Sequence, residues 1–492
     1  MRRFCRFIAL VAVLLTCVGA SAQLRTSYFM EGTYFRTELN PALKPTRGYL
    51  ALPGISGVGV NVGSNFLSLD NLFYQSRGQY LSVFDGSMTS DEVMSRFPEL
   101  SNLRLNANVN VLGVGFYSRK TYWNIGLNAR VQSFAQFSND MFGNLVGSSM
   151  RSIKESTYDS TSFLETYLGT SFHVHKNVNI GFRVKALFGA LNVNGRMLQA
   201  GNGSLMGRYV VSGMCVDKHD QKRNGEIYDA SEVFKKDAGY MLEGDVNFGL
   251  ALDLGFEARL ANDHLRISAA ITDLGYIKWN SERMKGVEIT SDFNFDGAGI
   301  EQVAKGADVE HSYTSRPYVG KRSADTRRML NFGANVGIEY AFLRNHISIG
   351  VMSHNEFCSN TLVLIDQSGE PTKTTKQNFH EITASLNLRP TNWLSATVSK
   401  TFLVGEDIDI FGVALNIHPR GLNIFIGADF VDSKFVRGPK GSVIFGRPTS
   451  HSIYAGVGFN FGRPTYVRMA SAELKAERKA ERQQRREQRQ AK

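Results

Sequence analysis

Apolar and polar residues alternate with a period of two over most of the chain. Between residues 246 and 256, every second residue is valine, leucine or phenylalanine, and the positions between them hold asparagine, aspartate, glycine or alanine. The stretches 330–342 and 178–185 repeat this pattern. Such alternation is typical of a β-strand with one apolar and one polar face. Many stretches exceed the roughly five or six residues of a soluble strand and favour membrane-crossing strands, which need about nine to eleven.

The pattern predicts an all-β protein in which fourteen strands form a single transmembrane antiparallel β-barrel. The predicted strands are 47–63, 103–118, 121–137, 163–174, 178–193, 240–259, 265–279, 329–343, 346–358, 377–389, 392–403, 408–417, 422–432 and 451–461. Long connections such as 64–102 alternate with short ones such as 119–120. Outer-membrane barrels sort their loops this way, and an even strand number puts both termini in the periplasm. A soluble β-sandwich is the alternative, but it gives no reason for the sorting.

Aromatic residues near the predicted strand ends agree with a membrane barrel. Trp123 and Trp393 follow short turns, Tyr340 and Phe342 precede one, and Trp279 ends its strand. Transmembrane barrels carry girdles of aromatic residues at both membrane interfaces. We therefore expect these side chains to lie at the level of the lipid headgroups.

Residues 1–22 have the three parts of a cleaved secretory signal: a basic start, an apolar stretch and an Ala-Ser-Ala end. A membrane anchor is disfavoured by the short apolar stretch, and a lipoprotein attached through Cys17 is disfavoured by the preceding threonine. Removal of the signal leaves Cys215 and Cys358. These two cysteines either form one disulfide after export or stay free.

The net charge of +11 would fit a nucleic-acid partner if it were spread over a folded surface. The excess lies at the ends instead, since residues 463–492 alone hold ten Lys or Arg against four Glu. Charges nearly balance over 23–462. We therefore expect no nucleic-acid partner. A multi-helix membrane protein is excluded too, because no apolar run of about 18 residues follows the signal.

Two segments flank the predicted barrel at 47–462. Residues 23–46 either thread into the lumen as a plug or lead in from the periplasm, and burial of their aromatic residues in a wide lumen favours the plug. Residues 463–492 are rich in Ala, Glu, Lys, Arg and Gln and lack an apolar stripe. They predict a solvated, partly helical, basic periplasmic tail, with binding to anionic lipid or cell-wall material as the alternative.

Characteristic motifs extend over nearly the whole mature chain. They read YFMEGTYFRTELNPAL, GYLALPGISGVGVNVG, LNANVNVLGVGFYSRKTYWNIGLNAR, ITDLGYIKW at 271–279 and SIYAGVGFNFGR. They resemble an uncharacterised family of Bacteroidetes outer-membrane barrels, named only as a domain of unknown function. The chain is more distantly similar to the long-chain fatty-acid transporter barrels, whose N-terminal hatch contains an Asn-Pro-Ala sequence. This similarity implies that Asn40, Pro41 and Ala42 belong to a lumen plug.

No catalytic motif is present: the sequence lacks a Gly-x-Ser-x-Gly elbow, a His-Glu-x-x-His pair, a Cys-x-x-Cys pair and a phosphate loop. We therefore expect neither an enzyme nor a cofactor. Asp292, Asn294 and Asp296 match the opening of a calcium loop, where alternate oxygens converge on the cation. Val303 replaces the closing glutamate, so a strand extension with a turn at Gly297 is the preferred interpretation.

The sequence thus predicts a barrel in the outer membrane of a Gram-negative bacterium, surrounded by outer-membrane lipid. Its first predicted function is a channel or transporter for an unidentified solute, with a hydrophobic solute as one candidate. The predicted lumen-facing residues are Arg183, Lys185, Asp245, Asp253, Glu257, Arg266 and Glu339. The alternative is a structural or assembly component of a secretion or surface-attachment complex, with a periplasmic or outer-membrane protein as its partner.

Overall fold

The computed structural model describes residues 25–462 except for 77–78, 120, 148–150, 152, 154, 176, 202–203, 217–245, 294–310, 319–325, 358–377, 406–408, 432–434, 438–442 and 446–448. The predicted signal at 1–22, the tail at 463–492 and Cys358 lie outside the described residues. Cys215 is described and is a free cysteine. No helix in the described part of the chain is long and apolar enough to cross a membrane.

Within these residues the chain forms mostly β-strands and a few short helices. The strands are β1 (Gly48–Ala51), β2 (Val58–Ser64), β3 (Phe73–Ser76), β4 (Gln79–Ser82), β5 (Leu100–Ser118), β6 (Thr121–Ser138), β7 (Thr157–His175), β8 (Val178–Gly201), β9 (Ser204–Gly213), β10 (Asn247–Leu260), β11 (Leu265–Trp279), β12 (Met284–Phe293), β13 (His311–Tyr318), β14 (Thr326–Met329), β15 (Phe332–Phe342), β16 (Ile347–Phe357), β17 (Phe379–Thr391), β18 (Leu394–Leu403), β19 (Asp409–Ile417), β20 (Asn423–Val431), β21 (Phe435–Arg437), β22 (Val443–Phe445) and β23 (Thr449–Phe461). The α-helices are α1 (Arg36–Leu39), α2 (Leu69–Leu72), α3 (Ser90–Arg96) and α4 (Asn139–Val146). Single 3₁₀ turns lie at Arg25–Ser27, Ser281–Arg283 and Leu343–Asn345.

Fourteen antiparallel spanning strands close into one barrel, which confirms the predicted fold. The first spanning strand consists of β1 and β2, and the eighth consists of β14 and β15. The others are β5, β6, β7, β8, β10, β11, β16, β17, β18, β19, β20 and β23. The ring closes because β1 and β2 both pair with β5 on one side and with β23 on the other.

The first spanning strand is interrupted, whereas the sequence predicted a continuous strand at 47–63. Residues 52–57 leave the ladder between β1 and β2. The interruption makes room for an aromatic ring in the lumen, because a Cβ atom on Gly57 would lie 2.2 Å from Cζ of Phe35. The hydroxyl of Tyr34 also donates a hydrogen bond to the carbonyl oxygen of Ser56 at this point.

The outer face of the barrel is apolar and the inner face is polar. Leu254, Val336 and Ile338 are 46%, 48% and 50% exposed, while their neighbours Asp253 and Asn335 are fully buried. An apolar belt around a closed barrel is the surface that lipid covers in membrane barrels. The alternation read from the sequence therefore distinguishes outside from inside over most strands.

Trp279 corrects one prediction, because its side chain is fully buried and does not belong to an aromatic girdle. The other predicted girdle residues face outward, with Trp393 47% exposed and Tyr340 46% exposed. The cause is a β-bulge in β11, where Thr272 and Asp273 together lie opposite one residue of β10. One extra residue exchanges the two faces of a strand, so Trp279 points inward.

We call the two ends of the barrel the short-turn end, at 119–120, 261–264 and 418–422, and the long-loop end opposite. Beyond the long-loop end, β8 continues to Gly201 and pairs with β9, which pairs with β12 and then with β13. The predicted strands 163–174 and 178–193 are therefore too short, and the predicted loops 194–239 and 280–328 contain strands. Strand pairing continues past the apolar belt because neighbouring segments satisfy the backbone hydrogen bonds.

Candidate functional site

The first described residues, 25–47, run inside the barrel before β1 begins; we call them the N-terminal segment. The segment contains the 3₁₀ turn and α1, and its aromatic side chains are at most 6% exposed. Tyr34 stacks on Tyr49 of β1 with ring centroids 4.0 Å apart, and Phe35 lies 4.9 Å from Phe425 of β20. These contacts place the aromatic residues of the segment against the inner wall near the short-turn end.

Polar contacts connect the N-terminal segment to strands on all sides of the barrel. Arg25 donates to Glu381 of β17 over 2.6 Å. The side-chain amides of Asn335 and Asn423 donate to the carbonyl oxygens of Leu39 and Gly32 at 2.7 and 2.8 Å. Because β15, β17 and β20 are separate parts of the wall, the segment occupies the bore instead of lining one side of it.

The Asn-Pro-Ala triplet packs against the opposite wall. Nδ2 of Asn40 lies 3.3 Å from the carbonyl oxygens of Phe256 and Ala269, on β10 and β11. Its Oδ1 accepts the backbone N–H of Ala42 at 2.9 Å and so fixes the turn. A Cβ atom on Gly181 of β8 would lie 2.3 Å from the backbone of Pro41, so only glycine permits this close approach.

Charged side chains of β6, β7, β8, β10 and β11 form a buried network above the triplet, toward the long-loop end. Nζ of Lys185 lies 2.8 Å from Asp253 and 2.6 Å from Asp273. Arg130 donates to both carboxylate oxygens of Asp273, at 2.7 and 2.8 Å, and to Glu165 at 2.7 Å. Buried charges in a protein are paired in this way because an isolated charge away from water is costly.

Arg183 extends this network to the N-terminal segment. Its guanidinium donates to Oγ1 of Thr37 at 2.9 Å and lies 3.8 Å from Asp253. The guanidinium also stacks over the ring of Tyr167 at 4.3 Å. The barrel wall therefore holds α1 through the hydrogen bond from the Arg183 guanidinium as well as through the hydrogen bond from Asn335 to the carbonyl oxygen of Leu39.

A second group of charges lies nearer the short-turn end. Glu339 contacts Arg389 at 2.6 Å and Arg266 at 3.3 Å, and Arg266 also contacts Glu31 of the N-terminal segment. Glu257, by contrast, contacts Arg259 of the same strand, β10, at 3.2 Å. Arg389 further donates to the carbonyl oxygen of Phe29 at 2.8 Å, so this group also holds the segment.

Six of the seven predicted lumen-facing residues are thus buried and inward, and the seventh, Asp245, lies outside the described residues. Sequence reasoning missed Arg130, Glu165 and Asp273. Arg130 and Glu165 lie on polar faces of predicted strands. A charged residue on such a face was the sequence feature that could have predicted their position in the lumen. Asp273 had none, because its inward position depends on the bulge and on a φ of 63°.

A cavity of about 100 Å³ lies between the charged network and α1. It is lined by polar residues of six strands, β5, β6, β7, β8, β11 and β16, and by Glu38 of the N-terminal segment. Nδ2 of Asn108 donates to the Glu38 carboxylate at 2.7 Å. Burial raises the pKa of the Glu38 carboxyl to about 7, and the opposing effect of Arg183 is smaller. His354 of β16 lines the same cavity.

The calcium prediction stays untested. Asp292 is exposed in β12, and Asn294 and Asp296 lie outside the described residues. Among the residues that the structure does describe, no group of three or more His, Cys, Asp or Glu side chains could hold a metal ion.

Fold and site together define a transmembrane β-barrel whose bore is occupied by its own N-terminal segment. The chain belongs to DUF5723, a family of unknown function, whose model matches residues 41–429. This match confirms the resemblance to a domain of unknown function. No curated protein matches the sequence significantly.

Two solved structures illustrate the similarity of the fold. A Pseudomonas aeruginosa FadL homologue is 11% identical, with 90% of this chain and 99% of that chain covered and a TM-score of 0.46. The Pseudomonas putida toluene transporter TodX is 10% identical, with 90% and 96% covered and a TM-score of 0.41. Because both TM-scores lie below 0.5, neither likeness bears on the function.

Proposed function

We propose that the protein is an outer-membrane channel or transporter for a small solute, closed in its resting state by the N-terminal segment. The observation that carries the proposal is the held segment itself, which fills the bore but leaves a cavity beside it. Besides aromatic stacking, its contacts are hydrogen bonds and ion pairs with inward side chains, which can be exchanged one by one. In a barrel with a purely structural role, a polar cavity at this depth would have no use.

The same features support a proposal for the location. We propose that the barrel lies in the outer membrane of a Gram-negative bacterium, with lipid around its apolar belt and with the short-turn end and both termini in the periplasm. The protein acts as a channel and not as an enzyme in this proposal. The alternative function, a structural or assembly component of a secretion or surface-attachment complex, requires a protein partner.

A reversible disulfide between segment and wall tests the proposal. Oγ1 of Thr26 and Oγ of Ser399 are 2.7 Å apart, so Thr26→Cys with Ser399→Cys brings two sulfur atoms within bonding reach. Cys215 and Cys358 are replaced by serine in the same chain. The variant is reconstituted into proteoliposomes, and their swelling in arabinose is measured with the introduced disulfide oxidised and again after its reduction.

We expect oxidation to lower the swelling rate to that of protein-free liposomes and reduction to restore it. The matched control is Thr383→Cys with Thr401→Cys, whose hydroxyls are also 2.7 Å apart but join two wall strands. Its swelling rate should not depend on oxidation. The proposal is wrong if arabinose does not enter in any state, including with a folded barrel that lacks residues 25–43.

A further inference from the structure

The cavity beside α1 contains one carboxylate without a cation. Arg130 and Lys185 are matched by acidic partners in the wall. Glu38 is not: the one described hydrogen bond of its carboxylate comes from the neutral amide of Asn108, and no ion pair within 4 Å joins it to a described cation. A partly buried carboxylate with a neutral partner retains an unsatisfied preference for positive charge.

His354, which lines the same cavity, carries a second unsatisfied acceptor. Nδ2 of Asn335 donates to the carbonyl oxygen of Leu39 at 2.7 Å, which leaves its Oδ1 facing Nδ1 of His354 at 2.6 Å. A carbonyl oxygen only accepts, so Nδ1 carries the hydrogen and Nε2 of the neutral ring has a free lone pair. The residue is 6% exposed, and Nε2 has no partner among the described residues.

These two groups specify the chemistry of a ligand. Both unsatisfied atoms accept hydrogen bonds, and one carries negative charge. Arg130 and Lys185 also line the cavity, but acidic partners already match them, so an anion would face Glu38 without gaining an unpaired cation there. An apolar molecule would leave both acceptors unpaired. A small cation with N–H donors satisfies both.

We propose that the cavity binds a small primary ammonium compound, with Glu38 as its counter-charge and Nε2 of His354 as a hydrogen-bond acceptor. The identification of this ligand as the transported solute rests on the proposed function; the binding itself does not. Because Glu38 belongs to the N-terminal segment and His354 to β16, the site is complete only when the segment is docked.

Calorimetry on the full-length protein in detergent at pH 8 tests the proposal with four probes of similar size. Ethylammonium chloride carries charge and N–H donors, tetramethylammonium chloride carries charge alone, sodium acetate is an anion, and ethanol is neutral. We expect ethylammonium to bind at least tenfold more tightly than each of the others. This series needs no variant and so does not depend on variant folding.

The variant Glu38→Gln keeps the shape and removes the charge, and it should weaken ethylammonium binding at least tenfold. Glu282→Gln is the matched control, since Glu282 is exposed outside the cavity and its loss changes the net charge equally. A folded chain without residues 25–43 should not bind. Equal affinity for acetate or ethanol, wild-type affinity in Glu38→Gln, or no detectable binding of ethylammonium would each overturn the inference.

The two proposals fail separately. If ethylammonium does not bind but the segment disulfide still controls arabinose entry, the ligand assignment is wrong and the channel stands. If ethylammonium binds as expected but arabinose enters in no state, the channel is wrong and the binding site stands.

Discussion

Replacement of Gly181 by alanine should release the N-terminal segment without altering any residue of the segment. The new Cβ would lie 2.3 Å from the carbonyl carbon and oxygen of Pro41 and 2.5 Å from the backbone nitrogen of Ala42. Backbone atoms cannot rotate away as a side chain can, so the contact forces the segment to shift. Overpacking of this kind costs roughly 1–3 kcal/mol. At about 1.4 kcal/mol per factor of ten, the undocked population rises about five- to hundredfold.

Limited trypsin digestion in detergent measures this population, because Arg36 is 2% exposed in the docked segment and becomes cleavable on undocking. The rate of cleavage after Arg36, followed by mass spectrometry, should rise by that factor in Gly181→Ala. Gly63→Ala is the matched control: Gly63 also lies in the barrel wall, but the nearest atom to its new Cβ is 3.6 Å away, on Ser450. Equal cleavage rates in both folded variants would refute the reasoning.

Two other predictions concern the barrel and its orientation. Leu254→Arg, in the middle of the apolar belt, should destabilise the lipid-embedded barrel by about 2–4 kcal/mol in urea unfolding, and Leu260→Arg near the short-turn end by only about 0–1 kcal/mol; equal losses would contradict the lipid assignment. Epitope tags inserted in 198–238 or 290–325 should be detected on intact cells, while a tag after Lys492 should need permeabilised cells. Surface detection of the C-terminal tag would refute periplasmic termini.

The period-two alternation was sufficient to predict the barrel, its strand number and the faces of most strands. It works because lipid on one side and a polar interior on the other impose the same contrast on every spanning strand. Leu254 and Asp253 show the contrast directly, being 46% and 0% exposed. β9 and β12 pair beyond the lipid-covered belt, where the two faces of a strand no longer meet lipid on one side and a polar interior on the other. The period-two alternation therefore does not identify these strands.

Local irregularities could not be predicted from alternation. Trp279 was assigned to the outer face because the bulge at Thr272 and Asp273 leaves no signature in a pattern that only counts positions. The interruption of the first strand depends on Phe35, which is distant from Gly57 in sequence and meets it only in the folded barrel. Both errors come from contacts that form in three dimensions.

The cavity was even less accessible to sequence reasoning. Glu38 and His354 resemble any other polar residues of a segment and a strand. What distinguishes them is a lack of partners among the described residues of the folded barrel: the Glu38 carboxylate has no cation and Nε2 of His354 has no hydrogen-bond donor. Arg130, by contrast, is paired with carboxylates. Pairing across the barrel depends on the folded arrangement of the strands and cannot be read from one sequence alone.

The contacts of the N-terminal segment also set an order of events during biogenesis. Arg25 and Glu381 are 356 positions apart, and Thr26 is 373 positions from Ser399. In the proposed location the chain is exported from its N-terminus, so the segment is released first and its partner strands β17 and β18 are completed late. Contacts of such sequence separation form slowly, since chain entropy must be lost before they stabilise anything. Docking is therefore a late step of maturation, and a barrel arrested before its last strands pair would be a leaking intermediate.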